Sequence, residues 1–158
     1  MDKDRKEFEK LVELINQVTA KMGSMHEPAI EYGTGVPLYR SEIHTIKAIG
    51  DNPGINVTGL ADRMGVTKGA VSQTLSKLAS KGLVVKKTAD DNAKEVLPEL
   101  TEIGRKGYRE HEGYHMKMYD AVREYYGDRF KPELEKFIAV MSDLNNILDR
   151  FEEKGVRS

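Results

Sequence analysis

Ala61, Gly65 and Val71 stand four and six residues apart, and this spacing constrains the fold more than any other feature of the chain. Two short helices can cross closely when a small residue sits midway along the first, a glycine makes the turn, and an apolar residue packs back from the second. The segments 58–64 and 67–80 supply those helices, joined across Gly65-Val66. Val71, Leu75 and Leu78 fall on one face of the second helix. Its other face shows Thr67, Lys68, Gly69, Ser72, Gln73, Ser76 and Lys77, which are small, polar or cationic. The pattern predicts a helix-turn-helix.

Charge sharpens this reading. The 158 residues carry 32% charged side chains and a net charge of -1, yet 67–87 holds five lysines and no acid. An acid-free segment inside an acidic chain is what a phosphate-facing surface requires. An exposed helix of this composition can enter a major groove, where Gln suits adenine, Lys suits guanine, and Ser or Thr suits phosphate or either base. Duplex DNA is the expected partner.

The flanking elements follow from periodicity. Phe8, Leu11, Val12, Ile15, Val18, Met22 and Met25 recur at helical spacing, and a loop with Pro28, Gly33, Gly35 and Pro37 ends that helix. Ser41 is expected to cap a second helix carrying Ile43, Ile46, Lys47 and Ile49, which stops at 50–54. The β-rich stretches 83–88 and 94–100 read as a hairpin, with Pro98 confining its strand to an edge or a bulge. Thr101 caps a long helix to about Tyr126, Gly127 breaks it, and Pro132 falls in the first turn of the last helix. Leu134, Phe137, Ile138, Met141, Leu144, Leu148 and Phe151 form a closing apolar stripe. The fold class is therefore mainly α with a small β-hairpin wing. The central lobe is too small to cover both terminal stripes, so pairing with a second copy is expected.

Composition removes several other classes. No run approaches the roughly 18 apolar residues of a membrane span. Cysteine is absent, which excludes disulfides and thiol chemistry and limits any metal site to nitrogen and oxygen ligands. The polar, mixed-charge start, Met1 to Lys6, does not read as a secretory signal, so a cytoplasmic protein is expected.

The chain resembles the MarR family of dimeric winged-helix transcription regulators over essentially its whole length. The resemblance rests on the run Val57 to Thr67, on Ala70-Val71-Ser72, Leu78, Gly82-Leu83-Val84 and Leu100-Thr101, and on Gly104 and Gly107. It implies dimerisation arms at 1–36 and 102–158 around a winged-helix lobe at 38–101, with helix 67–80 in the major groove. Two positions depart from the family pattern. Gln73 stands where Arg is common after the recognition-helix Ser, and Asp91 is followed by Asn92, Ala93 and Lys94 rather than by Arg two residues on. Lys86, Lys87 and Lys94 are therefore expected to hold phosphates.

The chain has four histidines, His26, His44, His111 and His115. The last two frame His111-Glu112-Gly113-Tyr114-His115, an H-E-x-x-H that on a helix sets two imidazoles one turn apart. Taken alone, the motif reads as a zinc metallopeptidase with Glu112 as general base. It lies inside a helix that the resemblance already explains, and nothing marks a substrate strand, so no enzyme is expected. The arrangement is instead similar to the zinc-responsive repressors of the MarR family. That similarity implies a metal site of His44, His111 and His115, with His26 from the loop and Glu27 beside it as the substitute ligand. Zinc is the first choice for such a set, and nickel, cobalt or ferrous iron accept the same ligands. The alternative is a regulator of this family answering to a small aromatic or phenolic ligand, with the histidines packing or hydrogen-bonding.

Overall fold

The computed structural model describes residues 2–24, 29–89 and 92–153, without the side chains of 89, 92–94, 152 and 153. The element order is α1 (Lys3–Ser24), α2 (Arg40–Asp51), α3 (Val57–Met64), α4 (Lys68–Ser80), β1 (Val84–Ala89), β2 (Asn92–Leu100), α5 (Glu102–Tyr126) and α6 (Phe130–Glu153), with a 3-10 turn at Gly127–Arg129. Two compact units divide the chain at Gly113/Tyr114.

The core of the first unit is apolar and continuous. Ile43, Ile46 and Ile49 of α2 meet Leu60 and Ala61 of α3, Val71, Leu75 and Leu78 of α4, and Leu83, Val84 and Leu100 at the base of the wing. Each buried aliphatic side chain of this kind stabilises by about 1.5–3 kcal/mol relative to exposure. Gly65 takes a left-handed conformation, φ 64°, and its N–H caps α3 on the carbonyls of Ala61 and Asp62. Only the glycine lacks the Cβ that penalises this turn.

The wing is a two-stranded antiparallel ribbon with Val84 opposite Leu100 and a register shift after Thr88. Pro98 lies opposite Lys86 in a ribbon whose strands are both edges, as its missing N–H demands. Thr101 caps α5 by accepting the Gly104 N–H at 3.1 Å. Gly104 is fixed by close approach, because a Cβ there would run into the Leu83 carbonyl.

Two expectations are corrected. Ser41 is not the cap of α2. The helix starts at Arg40, two residues earlier than a Ser41 cap would place it, and Glu42 reaches back to accept the Tyr39 N–H at 2.9 Å, which leaves Tyr39 as the cap residue. The stretch after α1 is also more than an open loop. Ile30 and Leu38 exchange two backbone hydrogen bonds, at 3.0 and 3.2 Å, and between them Tyr32 is buried at a positive φ of 44°.

α1 buries none of its residues, and the apolar side chains of α6 are largely exposed. Within the second unit the rings of Tyr119 and Phe130 meet edge to face, 5.4 Å apart, where α5 turns into α6.

Candidate nucleic-acid interface and histidine pair

The start of α4 is built by Thr67, whose hydroxyl oxygen accepts the Ala70 N–H at 3.2 Å. The first turn contains no acid, so the positive end of the helix dipole stays open to an anion. Lys68, Gly69, Ser72, Gln73, Ser76 and Lys77 are all exposed, while Val71, Leu75 and Leu78 on the other face are buried. The face expected to read DNA is the face turned to solvent.

The wing lysines differ from one another. Lys86 donates to Ser76 Oγ at 2.9 Å, tying β1 to the exposed face of α4. Lys87 pairs with Glu99 at 2.8 Å, so part of its charge is already answered within the wing. The side chain of Lys94 lies outside the described residues. Asn56 fastens the wing to the helix-turn-helix. Its Oδ1 accepts the Gly59 N–H at 2.8 Å, while its Nδ2 donates to Glu95 on β2. The lysine that ends α4, Lys81, points away from this face and donates to the Glu42 carboxylate at 2.7 Å and to the Pro37 carbonyl at 2.8 Å.

Two of the histidines come together. His111 on α5 is fully buried, with its ring centre 5.4 Å from that of His44 on α2 and 5.5 Å from that of Tyr32. This is the spacing of an ordinary edge-to-face ring contact, and it also leaves the two imidazoles near enough for one ion to reach both. His115 follows His111 by four residues on α5, is half-buried, and has its ring 6.2 Å from that of Tyr114. His26 and Glu27 lie outside the described residues. Among the described residues no group of three His, Asp or Glu side chains stands close enough to hold an ion.

Glu112, the would-be general base, is committed elsewhere. Its carboxylate accepts from Lys47 Nζ at 2.6 Å, and Lys47 also pairs with Asp51 at 3.0 Å. Tyr108 completes this cluster by donating to Asp51 at 2.9 Å. The hydrogen bond to Glu112 raises the Lys47 pKa against a smaller opposing effect of burial. Burial pushes the Asp51 carboxyl up, but hydrogen bonds from Lys47 and Tyr108 outweigh it and hold the group below its ordinary value. The same bond raises the Tyr108 phenol. The cluster fastens α2 to the first half of α5, one residue from His111.

Sequence reasoning missed Tyr32, the Glu42–Lys81 pair and the Asn56–Glu95 bond. Each joins residues far apart in the chain, or sits at an unusual backbone angle in a loop. The only local hint was a glutamate three residues after Tyr39, the spacing of a capping carboxylate.

The MarR family model matches residues 37–95. The HTH-type transcriptional regulator YhjH of Bacillus subtilis is 34% identical over 80% of this chain and 76% of its own length. Among solved structures, FabT of Streptococcus pneumoniae in complex with DNA superposes with a TM-score of 0.64 at 23% identity, covering 95% of this chain and 97% of its own. ZitR of Lactococcus lactis, a zinc-responsive MarR family member, gives a TM-score of 0.63 at 22% identity, over 88% and 96% of the two chains. Among the described residues no helix is long and apolar enough to cross a membrane. YhjH is described as a transcriptional regulator, and in this chain the Glu112 carboxylate of the H-E-x-x-H is engaged by Lys47. The chain belongs to the MarR family of winged-helix, DNA-binding transcription regulators.

Proposed function

We propose that this regulator binds an inverted-repeat operator as a homodimer, with an affinity set by a metal ion at its histidines. The observation that carries the metal is the His44–His111 pair, a buried imidazole facing another across two helices. His115, one turn on along α5, does not close a group of three with them as placed, so an ion would have to draw it in as the third ligand, with His26 the fourth and Glu27 as its substitute. Zinc is the first choice for an all-imidazole shell without thiols, and the zinc-responsive ZitR shares the fold. A shell closed by four protein ligands supplies no catalysis; it ties elements together.

Dimerisation is supported by what the terminal helices leave uncovered. Phe8 on α1 is 62% exposed and Phe137 on α6 is 68% exposed, each in a row of exposed apolar neighbours. Rows of this kind belong to interfaces. Two copies of α4 then read half-sites about one helical turn apart. The setting is the cytoplasm, where the operator is.

Metal can regulate only if it binds the DNA-competent conformer more tightly, and couplings of about 1–3 kcal/mol are the usual scale. Metal-stripped protein titrated with zinc should gain operator affinity by about tenfold or more. Equal affinity before and after chelation would replace the metal by a small aromatic ligand. A cavity of about 470 Å³, lined by Ile49, Leu100 and Tyr108 together with Glu99, Arg105 and Arg109 and by none of the histidines, is within the size range of small-molecule sites and is the space that second reading would use.

A further inference from the structure

Lys81 belongs to the basic segment 67–87, and by charge alone it would count among the phosphate contacts. Its surroundings say otherwise. Lys81 is the residue at which α4 ends, and its ammonium is turned onto α2 and the loop before it. There it meets the Glu42 carboxylate at 2.7 Å, the Pro37 carbonyl at 2.8 Å, and the Tyr39 ring at 5.7 Å. The Glu42 side chain is only 3% exposed. Its one oxygen takes both Lys81 and the Tyr39 N–H, so the pair is locked to the first turn of α2.

We propose that Lys81 is a positioning residue for operator reading, which fixes the pitch of α4 through Glu42 and touches no phosphate. Val71, Leu75 and Leu78 seat α4 on the core by apolar contact, which is non-directional and tolerates small rotations. The Lys81–Glu42 bond is directional and holds one end. The 13 residues of α4 span about 20 Å, so a tilt of roughly 10° about that end would move Lys68 by about 3 Å. A displacement of that size takes a side chain out of hydrogen-bond reach of a base edge. Removing either partner also strands the other, Glu42 most of all because it is buried.

Salt dependence separates positioning from phosphate contact, because each phosphate contact on B-DNA adds about 0.9 to the slope of log affinity against log salt. The probe is a duplex enriched by the wild-type protein from a random-sequence pool, at one fixed zinc concentration. Lys81→Met and Glu42→Gln should each weaken binding about tenfold with the slope unchanged, and the double variant should be no weaker than either single one. Lys77→Met, on the exposed face, should flatten the slope by about one contact. A flatter slope for Lys81→Met, or full affinity for Glu42→Gln, overturns the proposal. Where Lys81→Met fails to fold, Glu42→Gln decides alone. A phosphate-binding Lys81 freed of its carboxylate would bind DNA as well or better, and a positioning one would bind worse.

Discussion

The imidazole of His111 stands edge-on to that of His44, ring centres 5.4 Å apart and planes inclined by 60°. One ring comes from the helix that enters the DNA-reading lobe, the other from the helix that leaves the wing. An ion shared between them, as proposed, would fasten those helices directly. His44→Ala and His111→Ala should each lower zinc affinity in equilibrium dialysis by more than the roughly 10–100-fold that losing a partner behind a ligand costs. Lys68→Ala should leave zinc uptake unchanged. Acidification should release the metal, since a ligating imidazole must be deprotonated. Equal zinc uptake by the histidine variants and the wild type would reduce the pair to packing.

The exposed face of α4 should divide into base-reading and phosphate-holding side chains. Lys68→Ala and Gln73→Ala are expected to relax sequence preference, with losses of about 1–3 kcal/mol on the preferred duplex and less on others. Lys86→Ala should weaken every duplex alike and lower the salt slope by about one contact. Binding of a panel of single-base operator variants measures both. Uniform loss in the Gln73 variant would take that residue out of direct readout.

Glu112 separates a regulator from a hydrolase. Glu112→Gln keeps the four proposed ligands but breaks the ion pair with Lys47. Metal-dependent operator binding should survive with little change. Chelator-sensitive peptide hydrolysis by the wild type, lost in this variant, would contradict the assignment.

The same cluster has a pH signature. The lowered Asp51 carboxyl stabilises the fold above the carboxylate range, and that contribution is lost as pH falls through its folded value. The raised Lys47 contributes below the lysine range and loses its share as pH rises through its own folded value. Between these limits Lys47→Met should lower the melting temperature by about 1–3 °C, a shift suited to a half-exposed pair. The difference should shrink in acid, once the Asp51 carboxyl is protonated. A melting difference that persists undiminished there would assign the effect to lost packing on the Tyr108 ring, which lies 6.0 Å from the Lys47 ammonium.

Gly104→Ala tests the joint between the wing and α5. Because the added methyl would meet the Leu83 backbone rather than a flexible side chain, the cost should reach about 1–3 kcal/mol or more in urea unfolding. Gly113→Ala, with nothing near its Cβ, should be neutral or slightly stabilising through helix propensity.

Much of this was legible in the chain because it is local. The Ala61, Gly65 and Val71 spacing, the Thr101 cap, and the β-rich stretches of the wing each report on neighbours a few residues apart. The exposed face of α4 follows from the buried one by helical period alone. The pairs Glu42–Lys81, Lys47–Glu112 and Asn56–Glu95 do not follow, since they bring together residues 39, 65 and 39 positions apart. Charge composition counted Lys81 and Lys87 with the DNA-facing lysines because it carries no information about which lysine has an acidic neighbour in space. The His44–His111 contact was legible only through family resemblance, as no local pattern relates a residue of α2 to one of α5.

Zinc K-edge absorption of the zinc-loaded protein tests the metal centre most directly, because it reads the ligand atoms themselves. One ion per subunit with a nitrogen-dominated shell at about 2.0–2.1 Å and the outer-shell scattering of imidazole rings is the predicted result. The His111→Ala variant should lose that spectrum. An oxygen-only shell without ring scattering, or a spectrum unchanged in His111→Ala, would contradict a histidine-held metal in this regulator.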